Sequence, residues 1–282
     1  MTGVLADEPG VFTGEDLSQG VELRVATGSA VVFSSRCPGK QSPNEDAAAV
    51  ISLDDRRGVL VVADGLGGRP GGASASDIAV RAVEAHVRRV VGNGDSVRTA
   101  ILDAVDEANH AIMELGIGAG TTVAIVEIDG ARLRAYHVGD SAILVVGQRG
   151  RLKLQTISHS PTGYAVESGF LDEAAALQHE ERHLVSNIIG DTGMRIEIGS
   201  WLKTNVRDTI LLATDGLFDN LRASEIVEIV RTGPLTRACM ALSEVSADRM
   251  SNPREGQPSK PDDLTFILFR PTSSTRRIPL DS

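Results

Sequence analysis

The chain has 282 residues, of which 41% are hydrophobic and 23% are charged, and its formal net charge is −10. This length can bury a sizeable core, as one large domain or two small ones. The acidic balance argues against a protein that binds nucleic acid or an anionic membrane, because both need a basic face. No apolar run reaches the length of about eighteen residues that a transmembrane helix requires.

The two cysteines, Cys37 and Cys239, lie in neither a CxxC pair nor a zinc-binding pattern. Such usage fits a reducing cytoplasm, and no disulfide between them is expected. Residues 1–10 are partly acidic and lack the basic and then apolar layout of a signal peptide. We therefore expect a cytoplasmic protein without nucleic-acid or membrane partners.

The first quarter of the chain predicts short strands. Residues 1–20 show no periodicity and are expected to be a loose lead-in, followed by strands at 21–25 and 30–33. Two apolar runs, at 47–53 and 59–63, then predict a hairpin. This hairpin matters most for function, because acidic residues stand at its ends.

Glu45 and Asp46 precede the first hairpin strand, and Asp64 follows the second, where the chain enters a glycine-dense turn that ends at Gly68. Because the ends of antiparallel neighbours lie side by side, Glu45 and Asp46 are predicted to approach Asp64. The same pattern recurs where the apolar run before Asp215 ends in Asp-Gly. Two strands that end in this way suggest carboxylates that meet to hold a hard cation.

The rest of the chain mixes helices and strands. Apolar residues at helical spacing predict two long helices, over 75–90 and 101–115. The other predicted elements are strands at 122–128, 131–138, 142–146, 151–157, 195–198, 209–213 and 264–269, and helices at 172–179, 225–230 and 235–250. Most strand pairs are hairpins, which favours antiparallel sheets with helices packed outside over a doubly wound parallel sheet. Residues 271–282 are expected to form a disordered tail.

Acidic residues recur at strand edges and turns along the chain. They are Glu45 with Asp46, Asp64, Asp140, Asp215, and Asp262 with Asp263. Ligand sets made only of oxygen suit Mg²⁺ or Mn²⁺ rather than zinc. A single Asp-Gly pair is usually only a turn, which is how we interpret Asp129-Gly130. The joint occurrence of these positions is what indicates a metal site.

These residues belong to an ordered set of motifs, each weak alone. In chain order they are Asn44-Glu45-Asp46, Val62-Ala63-Asp64-Gly65-Leu66-Gly67-Gly68, Gly120-Thr121-Thr122, His137-Val138-Gly139-Asp140-Ser141, Leu212-Ala213-Thr214-Asp215-Gly216-Leu217-Phe218-Asp219 and Asp262-Asp263-Leu264-Thr265. Together they resemble the signature of the PP2C (PPM-type) family of metal-dependent serine/threonine protein phosphatases, in its bacterial form. The resemblance spans roughly residues 20–270.

The resemblance implies an α+β fold: an α/β sandwich of two central antiparallel β-sheets flanked by helices, formed by one domain over residues 21–270. It implies a centre of two Mn²⁺ or Mg²⁺ ions, or three. The implied ligands are Glu45, Asp46, Asp64, the Gly65 carbonyl, Asp140, Asp215 and Asp262. Asp64 would bridge two ions, and Asp215 with Asp262 would complete the shell of one. The Gly65 carbonyl would bind one of the two bridged ions, and Glu45 and Asp46 would hold the other ion or its waters. Asp140 with Asp215 would offer the third site.

The implied reaction is hydrolysis of phosphoserine and phosphothreonine in proteins, by a monomer whose substrates come from serine/threonine kinases. Paired cations can lower the pKa of a bound water and screen the phosphoryl oxygens. Asp64 and Asp215 would act through that water, which attacks phosphorus in line without a phosphoenzyme. Neither cysteine lies in a phosphate-cradling loop, so a cysteine-phosphatase route is unsupported.

The chain departs from the family pattern at three positions. Many relatives place a phosphate-binding arginine where this chain has Gln41, so Lys40 or Arg36 is the candidate substitute, and an ammonium gives a point charge where a guanidinium gives a fork. Leu66 stands where eukaryotic relatives have a histidine, and Ala142 stands where relatives often have arginine. The change at Ala142 concerns substrate contacts more than metal binding.

Two alternatives remain open at this stage. The chain could be a regulatory binding module with the family fold and little activity, or a phosphatase of a small phosphate metabolite. Residues 160–181 correspond to the flap beside the family's active site. His159 is expected to be structural, and the pair His179 and His183 is expected to have surface or packing roles rather than to bind a metal.

Overall fold

The computed structural model describes residues 10–67, 71–93, 96–177 and 179–272. In chain order the strands are β1 (Gly10–Thr13), β2 (Val21–Val25), β3 (Gly28–Ser35), β4 (Asp46–Ser52), β5 (Arg57–Asp64), β6 (Val123–Asp129), β7 (Arg132–Val138), β8 (Ala142–Val146), β9 (Leu152–Gln155), β10 (Glu197–Ile198), β11 (Leu202–Lys203), β12 (Thr209–Ala213) and β13 (Leu264–Pro271). They build two sheets, and the strand pairings of the described residues are antiparallel. The first sheet has the order β1-β4-β5-β6-β7-β10, with β11 also paired to β7, and the second has the order β2-β3-β13-β12-β8-β9.

Helices cover the outer faces of both sheets. They are α1 (Gly72–Asn93), α2 (Val97–Glu114), α3 (Pro161–Glu167), α4 (Glu173–Ala176), α5 (Asp215–Phe218), α6 (Ala223–Val230) and α7 (Leu235–Ser251), with one 3-10 turn at Glu180–His183. The pair α1 and α2 packs on the first sheet, and α6 and α7 pack on the second. None of the described helices combines the length and apolarity needed to cross a bilayer.

The alternation of side chains along each strand assigns it to two hydrophobic layers. On β5, Val59, Val61 and Ala63 face the helices α1 and α2. Leu60 and Val62 point the other way and pack between the two sheets. A strand that is buried on both faces needs a continuous apolar run, which the sequence shows at residues 58–63. Asp64 follows this run as the last residue of β5.

The predicted sandwich of two antiparallel sheets flanked by helices is confirmed. The two long helices and the hairpin of β4 and β5 lie where the periodicity predicted them. Differences occur in short elements. The expected lead-in contains β1, which pairs with β4 from Gly10↔Val50 to Thr13↔Ala47.

The region beyond β9 also differs from the sequence prediction. Helix α3 and strand β11 were not predicted, and the helix expected at 172–179 is the shorter α4. Strand β13 extends to Pro271, where the disordered tail was expected to begin, and residues 273–282 of that tail lie outside the described residues.

Candidate metal centre

The hairpin of β4 and β5 brings two acidic residues face to face. The register pairs Asp46 directly with Asp64. One residue further on, the Gly65 amide donates a hydrogen bond of 3.1 Å to the Glu45 carbonyl, which carries the pairing into the turn. The prediction that Glu45 and Asp46 approach Asp64 is therefore confirmed, and the cause is the antiparallel register.

The turn after Asp64 is held tightly against its surroundings. A Cβ on Gly65 would overlap the carbonyl groups of Gly72 and Glu45, so only glycine fits here. The Asp64 carbonyl accepts two hydrogen bonds, from the Thr121 hydroxyl at 2.7 Å and from the Thr122 amide at 2.9 Å. Gly68, the last residue of the motif, lies outside the described residues. The Asp64 backbone is therefore fixed before any ligand binds.

The second sheet contributes the next acidic residue, and one hydrogen bond joins the two sheets at this place. Strand β12 ends at Ala213, and the Thr214 hydroxyl donates to Asp46 Oδ2 at 2.9 Å. Asp215 follows and begins the short helix α5. A Cβ on Gly216 would overlap the Asp263 carbonyl, so this turn also requires glycine. The two Asp-Gly turns thus meet across the sandwich, as the sequence pattern suggested.

Asp140 reaches the same end of the molecule from the turn between β7 and β8. Ser141 shares a hydrogen bond of 2.7 Å with Thr122, next to Asp64. His159 supports the turn from behind: its Nδ1 accepts from the Gly139 amide at 3.1 Å, and its own amide donates to the Gly139 carbonyl at 2.9 Å. His159 is therefore structural, as expected.

The loop before β4 holds the phosphate-binding candidates and is anchored by Asp263. This carboxylate accepts hydrogen bonds from the Cys37 and Glu45 amides, both at 2.8 Å, and from Lys40 Nζ at 2.6 Å. Lys40 Nζ also donates to Glu45 at 2.8 Å. Asp263 is thus an anchor for the loop, and Lys40 is an internal ion-pair partner of the acidic residues.

The other two phosphate-binding candidates lie away from the acidic residues. Arg36 pairs with Asp16 at 3.2 Å near the surface. Gln41 is exposed, and its amide contacts the Gly39 carbonyl at 3.4 Å. Within the described part of the chain, neither of these two side chains therefore forms a hydrogen bond or ion pair with the residues of the acidic centre.

Two residues that the ligand prediction did not include belong to the acidic group. Asp219 lies four residues after Asp215 on the same helical turn, and Lys260 Nζ contacts Asp215, Asp219 and Asp262. The spacing of the two aspartates in the motif could have indicated Asp219, because residues four apart share a helix face. The position of Lys260 depends on tertiary packing.

Burial and mutual repulsion dominate the electrostatics of the cluster. Burial raises the pKa of Asp64 well above its usual range, and the charges of Asp215 and Asp46 add to the effect. Burial, followed by Asp215, raises the pKa of Asp140 to about 8 and that of Asp262 to about 7. The same causes raise the pKa of Asp219 to about 6. Carboxylates crowded in this way favour any cation that joins them.

The donor set fits a hard divalent cation. Every side-chain donor is a carboxylate, which is the ligand type that Mg²⁺ and Mn²⁺ prefer. Asp215 Oδ1 is buried and has no hydrogen-bond donor within the described part of the chain. A buried acceptor without a partner is costly unless a ligand satisfies it. The residues therefore fit the metal centre that the motifs implied.

A second group of potential ligands lies behind the Asp140 turn. His137, His159 and Glu197 offer atoms that all lie within 4.8 Å of one another. His137 Nε2 donates to the Ile157 carbonyl at 2.9 Å, and His159 Nε2 lies 3.2 Å from Glu197. His159 Nδ1 accepts from the Gly139 amide, so both of its nitrogens are engaged in the structure. We interpret this group as a hydrogen-bond network that supports Asp140. The predicted pair His179 and His183 is exposed and lies at the 3-10 turn.

The fold and this site define a class of proteins, in which two antiparallel sheets form a sandwich with an acidic centre at one end. A family model described as "Protein phosphatase 2C" matches residues 35–250. The serine/threonine phosphatase stp of Listeria innocua is 26% identical over 199 residues, which cover 67% of this chain and 78% of the relative.

Two solved structures share the fold. Stp1 from Staphylococcus aureus superimposes with a TM-score of 0.74 at 23% identity, over 89% of this chain and 98% of that chain. The catalytic domain of PstP, described as a complex with two manganese ions, gives a TM-score of 0.67 at 25% identity over 86% and 96% of the respective chains.

The chain belongs to the protein phosphatase 2C family. It is therefore an enzyme of the protein serine/threonine phosphatase class, as the ordered motifs predicted.

Proposed function

We propose that the chain hydrolyses phosphoserine and phosphothreonine in proteins, with Mn²⁺ or Mg²⁺ held by the acidic centre. The observation that carries this proposal is the meeting of Asp46, Asp64 and Asp215 at the junction of the two sheets, with Asp215 Oδ1 buried and unpaired among the described residues. Such an arrangement is expensive without a cation. Two or three bound ions would neutralise the buried carboxylates and so offset this unfavourable free energy.

The implied ligands divide the work between the two sheets. Asp64 and the Gly65 carbonyl would help to hold the ions, and Asp215 with Asp262 would hold one of them. Glu45 and Asp46 would hold the other ion or orient its waters, and Asp140 would serve a third. When bound, the ions supply an activated water and polarise the phosphoryl group for in-line displacement. The chain's own part is to fix these carboxylates before the substrate arrives.

A cleft of about 390 Å³ beside the centre supports a protein substrate. It is lined by Asp140, Asp215 and Asp219 on one side and by flap residues, including Val166 and Leu177, on the other. A cleft with an acidic floor and a wall of mixed apolar and polar residues suits a phosphorylated side chain with its flanking peptide. The flap expected at residues 160–181 contributes that wall.

We further propose a cytoplasmic monomer. Both cysteines are free thiols, as a reducing compartment would leave them. All the acidic residues of the centre come from one chain, so the site does not require a second copy.

The test is hydrolysis of a phosphothreonine peptide by the Mn²⁺-loaded protein, compared with Asp64→Asn and Asp215→Asn. We expect each variant to lose activity by about 10²-fold or more, because each removes a charge that holds the ions. Asp129→Asn is the matched control: Asp129 also precedes a glycine, but it is the last residue of β6 and pairs with Arg56 and Arg132. It should retain full activity.

Full activity in both centre variants would contradict the mechanism. Parallel assays with nucleotides and sugar phosphates address the remaining alternative, a phosphatase of small metabolites. Faster turnover of those compounds than of the phosphopeptide would replace the proposed substrate class.

A further inference from the structure

The Lys260 ammonium lies among three carboxylates of the acidic centre. Its Nζ is 2.5 Å from Asp215 Oδ2, 2.9 Å from Asp219 Oδ2 and 3.1 Å from Asp262 Oδ2. The side chain is 20% exposed, so these pairs are largely shielded from water. The contact with Asp215 is a hydrogen bond, and those with Asp219 and Asp262 are ion pairs.

The backbone of Lys260 is fixed in this position by a buried asparagine. Asn220, with no exposed surface, accepts from the Lys260 amide at 2.9 Å and donates to the Lys260 carbonyl at 2.8 Å. The Asn220 amide also donates to the Gly216 carbonyl at 2.9 Å. The segment that carries Lys260 is thus tied to the turn that carries Asp215, and the ammonium does not depend on a freely moving chain.

The positions of these carboxylates create a conflict with a divalent ion. Asp215 and Asp262 are the two residues expected to complete the shell of one ion, and Lys260 contacts both. Asp262 Oδ1 accepts from the Asp263 amide at 2.9 Å and its Oδ2 pairs with Lys260, whereas Asp215 Oδ1 has no partner among the described residues. An ion held by both residues would therefore lie beside the ammonium, and like charges at such a short distance repel each other. By contrast, within the described part of the chain Lys260 forms no ion pair with Asp46 or Asp64 at the other end of the centre.

We propose that Lys260 is an internal cation that holds the Asp215–Asp219–Asp262 end of the centre in the metal-free protein and competes with a divalent ion for that end. This inference rests on the proposed metal-dependent function. It divides the centre into an end that binds an ion directly and an end where binding competes with the ammonium. The first ion then binds at the end without the ammonium. The second ion binds at the Lys260 end only at a higher concentration of free divalent cation.

The test is calorimetric titration of Mn²⁺ into protein stripped with a chelator. In Lys260→Met we expect the weaker ion to bind about tenfold more tightly, because its competitor is gone. The metal-free variant should also melt at a lower temperature than the wild type, since three carboxylates lose their counter-charge. Lys260→Arg keeps a cation at the position and should retain weak binding of that ion.

Lys203→Met is the matched control for net charge. Lys203 is an exposed residue of β11, so its loss changes the total charge equally without touching the centre. We expect wild-type Mn²⁺ affinity and an unchanged melting temperature for this variant.

The possible failures are distinguishable. If Lys260→Met and the wild type bind Mn²⁺ with equal affinities, or if Lys203→Met tightens binding as much as Lys260→Met, the competition is overturned while the metal centre stands. If neither the wild type nor Lys260→Met binds Mn²⁺, the proposed metal-dependent function falls, and the inference falls with it.

Discussion

At the scale of single residues, Asp263 shows how two adjacent carboxylates can take different roles. Asp262 is half-exposed and pairs with Lys260, whereas Asp263 is 4% exposed and holds the loop before β4. Its partners are the Cys37 and Glu45 amides and Lys40 Nζ. Asp263 therefore stabilises the position of Glu45 without being free to bind an ion.

Replacing Asp263 should destabilise the fold. Asp263→Ala leaves two amides and one ammonium without their acceptor. We expect this change to lower the free energy of unfolding, measured by urea denaturation, by about 2–4 kcal/mol. Asp263→Asn keeps one carbonyl acceptor and should lower the free energy of unfolding by less. The control is Asp77→Ala, which removes an exposed ion pair with Arg81 and should change the midpoint little. Equal losses in the two alanine variants would refute the anchoring role.

At the scale of elements, the turn that follows β5 places the end of that strand, with Asp64, at the acidic centre. Gly65 and Gly67 lie two residues apart in this turn, but their surroundings differ. A Cβ on Gly65 would overlap two backbone carbonyls. Among the described residues, a Cβ on Gly67 would meet only the Glu45 carboxylate, at 3.9 Å. Backbone atoms cannot move aside cheaply, and a distance of 3.9 Å is an ordinary contact.

The two glycines offer a test of that difference. Gly65→Ala should lower the free energy of unfolding by about 1–3 kcal/mol and should weaken Mn²⁺ binding, because the turn must open to accept the methyl group. Gly67→Ala should leave both quantities nearly unchanged. Thermal melts of the metal-free proteins and calorimetry with Mn²⁺ provide the measurements. A Gly65→Ala variant as stable as Gly67→Ala would show that the turn is not sterically closed.

At the scale of the whole molecule, the acidic centre links stability to pH. The folded pKa values of Asp219, Asp262 and Asp140, about 6, 7 and 8, all exceed the unfolded value of 3.8. Between the unfolded and folded values, the native state holds protons that the unfolded chain has released. The slope of stability with pH is therefore negative in that window.

We expect the chelator-treated protein to lose stability as the pH rises from about 4 to about 8. Added Mn²⁺ should oppose this loss, and its stabilising effect should grow with pH because binding displaces protons from the carboxylates. Melting temperatures with and without Mn²⁺ across the range would measure both effects. Asp140→Asn should flatten the upper part of the metal-free profile. A metal-free stability that rises across this window would contradict the expectation.

Much of the fold was accessible from the sequence, because it follows from local patterns. Apolar spacing predicted α1 and α2, and apolar runs bounded by turn residues predicted β4 and β5. The meeting of Asp46 with Asp64 also followed, since antiparallel pairing fixes which residues face each other. Short elements such as β1 and α3 were not predicted, because a few residues carry little periodicity.

The sequence by itself determined the family, the two-sheet architecture and the set of acidic residues at strand ends. Only the tertiary structure decided which of those residues are engaged by other parts of the chain. Asp263 binds an amide 226 residues away, and Lys260 reaches Asp215 across 45 residues. Neither contact has a local signature, because a side-chain ion pair forms wherever packing places the two charges. Whether a carboxylate is free to hold a metal ion is therefore a property of the folded chain.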